Sequence, residues 1–98
     1  MENIKEKVFG AVQKVPRGKV VTYGDIARSL KISPRTVGWM LHLNNSSGVP
    51  CHRVVDRNGR LAPNFAFDGA REQGRRLKAE GVLFIDDMHV DLIKSIVK

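Results

Sequence analysis

Thr22-Tyr23-Gly24-Asp25-Ile26-Ala27-Arg28-Ser29-Leu30-Lys31-Ile32-Ser33-Pro34-Arg35-Thr36-Val37-Gly38 is the stretch on which the fold turns. Thr22 stands where it can cap a short helix, with Asp25 in a weak capping-box arrangement and Ile26, Ala27 and Leu30 facing inward. Ser33-Pro34 is a stronger start signal. The serine accepts a hydrogen bond from a first-turn amide, and the proline gives up an N–H that has no partner there. That second helix is expected from Pro34 to His42 or Leu43, with Lys31, Ile32 and Ser33 as the turn before it. Two short helices joined in this way make a helix-turn-helix candidate.

Upstream, Ile4, Val8, Phe9 and Val12 recur at helical spacing and predict an amphipathic helix over 3–14. Val15-Pro16-Arg17-Gly18 ends it, and Lys19-Val20-Val21-Thr22, short and β-branched, is expected to be extended. Downstream, Asn44-Asn45-Ser46-Ser47-Gly48 is a loop by composition and Pro50 to Val55 is expected to be extended. Asp56-Arg57-Asn58-Gly59 is a tight turn, from which a small hairpin returns through Arg60-Leu61. Asp68-Gly69 opens a further helix ending at Gly81, a residue suited to the left-handed position after a helix. Val82 to Lys98 is apolar enough to pack on the body as a strand and a short helix. The expected fold is mainly α with a small β hairpin, a winged helix-turn-helix-like DNA-binding domain, with residues 1–98 forming one domain.

Seventeen Lys+Arg against ten Asp+Glu give a net charge of +7 on 98 residues. That balance favours a polyanionic partner through counterion release; the bland alternative is a basic but inert surface. No apolar run approaches the roughly 18–20 residues that span a bilayer, and the N-terminus lacks the apolar core of a signal peptide. A cytoplasmic location is expected, or a nuclear one in a eukaryote, with no membrane partner. One cysteine excludes an internal disulfide, and with three scattered histidines it makes no zinc pattern. No metal and no organic cofactor are expected.

Val49-Pro50-Cys51-His52-Arg53-Val54-Val55 carries the chemistry. A lone cysteine is usually a small buried hydrophobe. Here Pro50 can turn the chain to present the sulfur at the base of a pocket, and His52 and Arg53 supply positive charge that favours the nucleophilic thiolate. Adjacent side chains on an extended strand point to opposite faces. His52 is therefore expected to reach Cys51 through a bend or a bridging water.

Pro50-Cys51-His52-Arg53-Val54 resembles the active-site motif of the O6-alkylguanine-DNA alkyltransferases, which move an alkyl group from guanine onto their own cysteine. Gly18-Lys19-Val20-Val21-Thr22-Tyr23-Gly24 is similar to the family's segment carrying the tyrosine that hydrogen-bonds the damaged base. Pro34-Arg35-Thr36-Val37-Gly38 resembles the start of its recognition helix, whose arginine wedges into the duplex. Leu77-Lys78-Ala79-Glu80-Gly81 resembles the segment whose glutamate orients the active-site histidine.

The resemblance implies a catalytic set of Cys51, His52, Glu80 and Tyr23. It implies DNA contacts from Arg35, Thr36, Gly38, Tyr23 and Arg53, and a pocket bordered by Asn44, Pro50, Val54 and Phe67. The implied partner is double-stranded DNA containing O6-alkylguanine, bound by a monomer that extrudes one nucleotide and accepts one alkyl group irreversibly. Three departures stand beside it. The chain lacks the additional N-terminal domain of full-length members, as the compact alkyltransferase-like proteins do. No Asn-Pro precedes the active-site segment. Phe67 replaces a small hydroxyl residue in the part that closes the pocket. The alternatives are a non-catalytic sensor that binds alkylated DNA and recruits other repair proteins, and a plain helix-turn-helix binder in which Cys51 is structural. His42 and His89 match no motif and are expected at the surface.

Overall fold

Asn3 starts the first helix, α1 (Ile4–Gln13), by accepting the Glu6 amide on its side chain at 2.8 Å. The computed structural model describes residues 3–43, 48–62 and 69–97. Helices α2 (Tyr23–Leu30) and α3 (Pro34–His42) follow from their caps: the Thr22 hydroxyl accepts from the Asp25 amide at 3.0 Å, and that of Ser33 from the Thr36 amide at 3.1 Å. The reciprocal half of the capping box does not form, because the Asp25 carboxylate pairs with Arg28. Between the two helices Lys31 takes a left-handed conformation at φ 59°, and the Ile32 amide returns to the Ala27 carbonyl at 3.0 Å.

Strand β1 (Val21–Thr22) pairs in parallel with β2 (Val54–Val55), Val21 opposite Val54 and Thr22 opposite Val55. Successive side chains on a strand face opposite sides, and here each side is a separate apolar core. Val54 packs with Val8, Val12, Ile26, Ala27, Val37 and Val49 from the three N-terminal helices and the segment before the cysteine. Val55 and Val20 pack with Leu61, Leu77, Val82 and Val90. Each such burial contributes roughly 1.5–3 kcal/mol over leaving the side chain in water.

The second core is closed by α4 (Ala70–Ala79), the antiparallel pair β3 (Phe84–Asp86) and β4 (His89–Val90), and the short helix α5 (Leu92–Ser95). Helix α4 stops as Gly81 predicts. With Gly81 at φ 86°, its amide bonds to the Lys78 carbonyl at 3.0 Å and the Val82 amide to that of Leu77 at 3.1 Å, while Leu77 and Val82 share one core.

Three local expectations are corrected. The hairpin lies between β3 and β4, not at 54–61. Val54 and Val55 are both buried, one in each core, which suits a strand covered on both faces more than a hairpin with a wet side. The turn at 56–59 forms, with the Gly59 amide on the Asp56 carbonyl at 2.9 Å, but it leads Arg60 across to a bridge with His89. Residues 82–97 hold two strands where one was expected. Finally, Cys51–Arg53 is a 3-10 turn where an extended segment was expected; the Arg53 amide bonds to the Pro50 carbonyl at 3.0 Å.

Two glycines separate backbone strain from crowding. Gly81→Ala meets no atom within 4 Å, so only the left-handed conformation is penalised, by about 1–2 kcal/mol. A Cβ on Gly59 (φ +82°) falls 2.6 Å from the Val90 carbonyl oxygen, so Gly59→Ala is expected to cost more, because β4 must move as well. Urea denaturation of both variants measures the difference; equal losses would mean that the chain around Gly59 yields freely.

Candidate active site and nucleic-acid interface

Three segments converge on the Glu80 carboxylate. Glu80 is the C-cap of α4, its backbone fixed by the bonds on either side of Gly81, and its side chain is only 6% exposed. Oε2 lies 2.7 Å from His52 Nε2. Arg53 forks onto the same group, Nε to Oε1 at 3.0 Å and Nη2 to Oε2 at 2.8 Å. The Gly18 amide donates to Oε1 at 3.3 Å from the turn after α1. Arg53 Nη1 also donates to the Val15 carbonyl at 2.9 Å, and Arg17 Nη2 to the Ala79 carbonyl at 3.2 Å. The end of α1, the 3-10 turn and the end of α4 are thus joined at one place.

Burial alone would raise the Glu80 pKa, but the bonds from Arg53, His52 and Gly18 outweigh it and bring the carboxyl from 4.5 down to about 2. Because the folded value lies below the unfolded one, this group's stabilisation is complete above 4.5 and is lost as pH falls toward about 2. An ionised carboxylate only accepts hydrogen bonds. His52 Nε2 therefore carries a proton, and in the neutral ring Nδ1 is the basic nitrogen.

Cys51 heads the 3-10 turn, half-buried and in no disulfide, and packs with Tyr23 against the first core. Three residues per turn rotate successive side chains by about 120°, not the half-turn of a strand. Cys51 and His52 are therefore not held on opposite faces as they would be in a strand. Tyr23 follows β1 directly, and burial, then the neighbouring Cys51 and Asp56, raise its pKa. The phenol stays protonated at neutral pH and can donate. Gly38 on α3 borders the Tyr23 ring, since a Cβ there would stand 3.9 Å from Cε1.

Arg35 is exposed in the first turn of α3, and the Thr36 hydroxyl beside it is 2.9 Å from that of Ser33. Two expected roles are corrected. Arg53, expected at the DNA surface, is turned inward onto Glu80 and Val15, with 16% of its side chain exposed. Val54, expected at the pocket, is a core residue 1% exposed. Pro50 caps the 3-10 turn and stays half-buried. Asn44 and Phe67 lie outside the described residues. His42 is exposed, as expected, and stacks on Trp39, while His89 is half-buried and pairs with Asp86 at 2.9 Å. Among the described residues no cluster of three or more His, Cys, Asp or Glu could hold a metal ion.

Gln73 is the residue that sequence reasoning missed. Fully buried, it donates from Nε2 to the carbonyls of His52 at 3.0 Å and Val54 at 2.8 Å, and accepts the Ala62 amide on Oε1 at 2.6 Å. It clamps the active-site turn from behind. The available signal was a polar residue four positions before Leu77, on the inward face of α4.

A family model described as 6-O-methylguanine DNA methyltransferase, DNA binding domain, matches residues 3–82, and the chain belongs to that family. It is 40% identical over 85 residues to alkyltransferase-like protein 1 of Schizosaccharomyces pombe, covering 84% of this chain and 79% of that relative. It is 41% identical over 80 residues to a methylated-DNA–protein-cysteine methyltransferase of Thermococcus kodakarensis, covering 80% of this chain but only 44% of the relative. The fold matches S. pombe Atl1, crystallised in complex with damaged DNA containing O6-carboxymethylguanine. That match has a TM-score of 0.82 and 33% identity, and spans 100% of this chain and 99% of the other.

Replacing Gln73 by leucine keeps the volume and strands two carbonyls and one amide. A loss of at least about 2 kcal/mol is expected, since each buried unsatisfied group costs roughly 1–3 kcal/mol. Amide exchange at Ala62 should accelerate in the same variant; unchanged protection there would mean that the Gln73 clamp does not hold this segment.

Proposed function

We propose that this member of the alkylguanine repair family binds duplex DNA containing O6-alkylguanine, extrudes the damaged nucleotide and transfers the alkyl group to Cys51. The observation that carries this reading is Cys51 at the head of a turn whose next residue, His52, is held by an ionised, buried Glu80, with protonated Tyr23 and Cys51 both packed against the first core.

Extrusion costs a few kcal/mol and is cheapest where the base pair is already damaged, which supplies part of the selectivity. Arg35, exposed at the start of α3, fills the gap left in the stack. His52 takes the thiol proton through a water, and Glu80 stabilises the imidazolium so formed. The Cys51 sulfur attacks the alkyl carbon in line, the carbon–O6 bond breaks, and Tyr23 donates to the base as negative charge develops on it. Solvent returns the proton from His52 to Tyr23. The products are a thioether on Cys51 and an unmodified guanine. Water does not readily cleave the thioether, so each chain acts once.

The end-to-end match to a chain crystallised on damaged DNA favours a second reading, lesion sensing without transfer. Intact mass separates the two. With excess duplex containing O6-methylguanine, one methyl group should be gained per chain and map to Cys51, and Cys51→Ser should lose the gain while keeping lesion binding. An unchanged mass alongside lesion-selective binding would establish the sensor.

A further inference from the structure

Trp39 is the chain's single tryptophan, and 58% of it is exposed. The other large hydrophobics exposed among the described residues are aliphatic: Ile4, Leu43, Leu83, Ile85 and Ile93. Burial of Val37 on the opposite side of α3 fixes the direction in which Trp39 points. Residues four and seven apart share a helix face, so Arg35, Trp39 and His42 form one stripe. His42 stacks on the indole with ring centroids 5.9 Å apart and planes at 28°. A large apolar ring held in water, between an arginine and a histidine on the second helix of a helix-turn-helix, marks a contact surface. The net charge of +7 defines the sign of its partner.

We propose that Trp39 is a DNA-contacting residue that lays its indole against the sugar–base edge of the strand, about two nucleotides from the position Arg35 fills. The spacing is compatible: four helical residues advance about 6 Å, and two nucleotides about 7 Å along one strand at ~3.4 Å each. The stack on His42 holds the ring in one orientation, so little side-chain freedom is lost on contact. Basic side chains give phosphate contacts that salt weakens, whereas the indole gives an apolar contact that adds no counterion release. The inference rests on the DNA-binding reading above.

As the sole tryptophan, Trp39 reports on itself. Saturating duplex, damaged or not, is expected to quench its emission and shield it from acrylamide. Trp39→Ala is expected to weaken duplex affinity roughly tenfold, as loss of one aromatic contact does, without changing the slope of affinity against salt. Trp39→Phe should recover part of the loss. Anisotropy of a labelled duplex measures affinity independently of the tryptophan. Full acrylamide access in the complex, or equal affinity of folded Trp39→Ala and wild type, overturns the proposal while leaving DNA binding intact. If Trp39→Ala fails to fold, shielding in the wild type decides. No anisotropy rise with wild-type protein at low salt defeats the DNA-binding reading and this inference together.

Discussion

A carboxylate taken out of water needs its hydrogen-bonding capacity met, and at Glu80 that need is met by parts of the chain far apart in sequence. Gly18 comes from the turn after the first helix, and His52 and Arg53 from the turn that carries the cysteine. Burial and pairing oppose each other, and pairing wins decisively, leaving the group ionised with a pKa of about 2. Removing one partner of such a buried pair typically costs about 3–5 kcal/mol, because the other charge is left uncompensated. The same carboxylate selects which nitrogen of His52 carries a proton. Fold and chemistry therefore share one group.

The two apolar cores explain why the cysteine turn stands where it does. Val54 and Val55 are consecutive, and each anchors a different core, so β2 cannot slide or rotate without exposing both. The 3-10 turn is the segment immediately before this anchor. From behind, Gln73 holds the carbonyls of His52 and Val54, binding the turn to α4 as Glu80 does from that helix's end.

Much of this was legible in the sequence where the signal was local. Thr22, Ser33-Pro34 and Gly81 state their helix ends because capping involves residues only a few positions apart. The motif residues Cys51, His52, Tyr23 and Glu80 were identified by resemblance, and the structure brings His52 to Glu80 and packs Tyr23 and Cys51 against one core. What failed depended on distant partners. Val54-Val55 looks equally like a hairpin strand until β1 is placed beside it. Arg53 looks like a phosphate contact until Glu80 is known to lie within 3 Å. Gln73 carries no motif, and its importance arises only from the carbonyls of His52 and Val54, some twenty positions away in the chain, to which it donates.

The ionisation of Glu80 in the folded protein is the most direct measure of whether this arrangement exists in solution. Carbon NMR of the side-chain carboxyl, followed on lowering pH while the protein remains folded, reads it at one atom. The expected resonance stays that of an ionised carboxyl through the range where an unperturbed glutamate protonates, near ~4.3, with a midpoint of about 2. A midpoint at the ordinary value would mean that Arg53, His52 and Gly18 do not converge on this carboxylate, and the orientation of His52 would lose its basis.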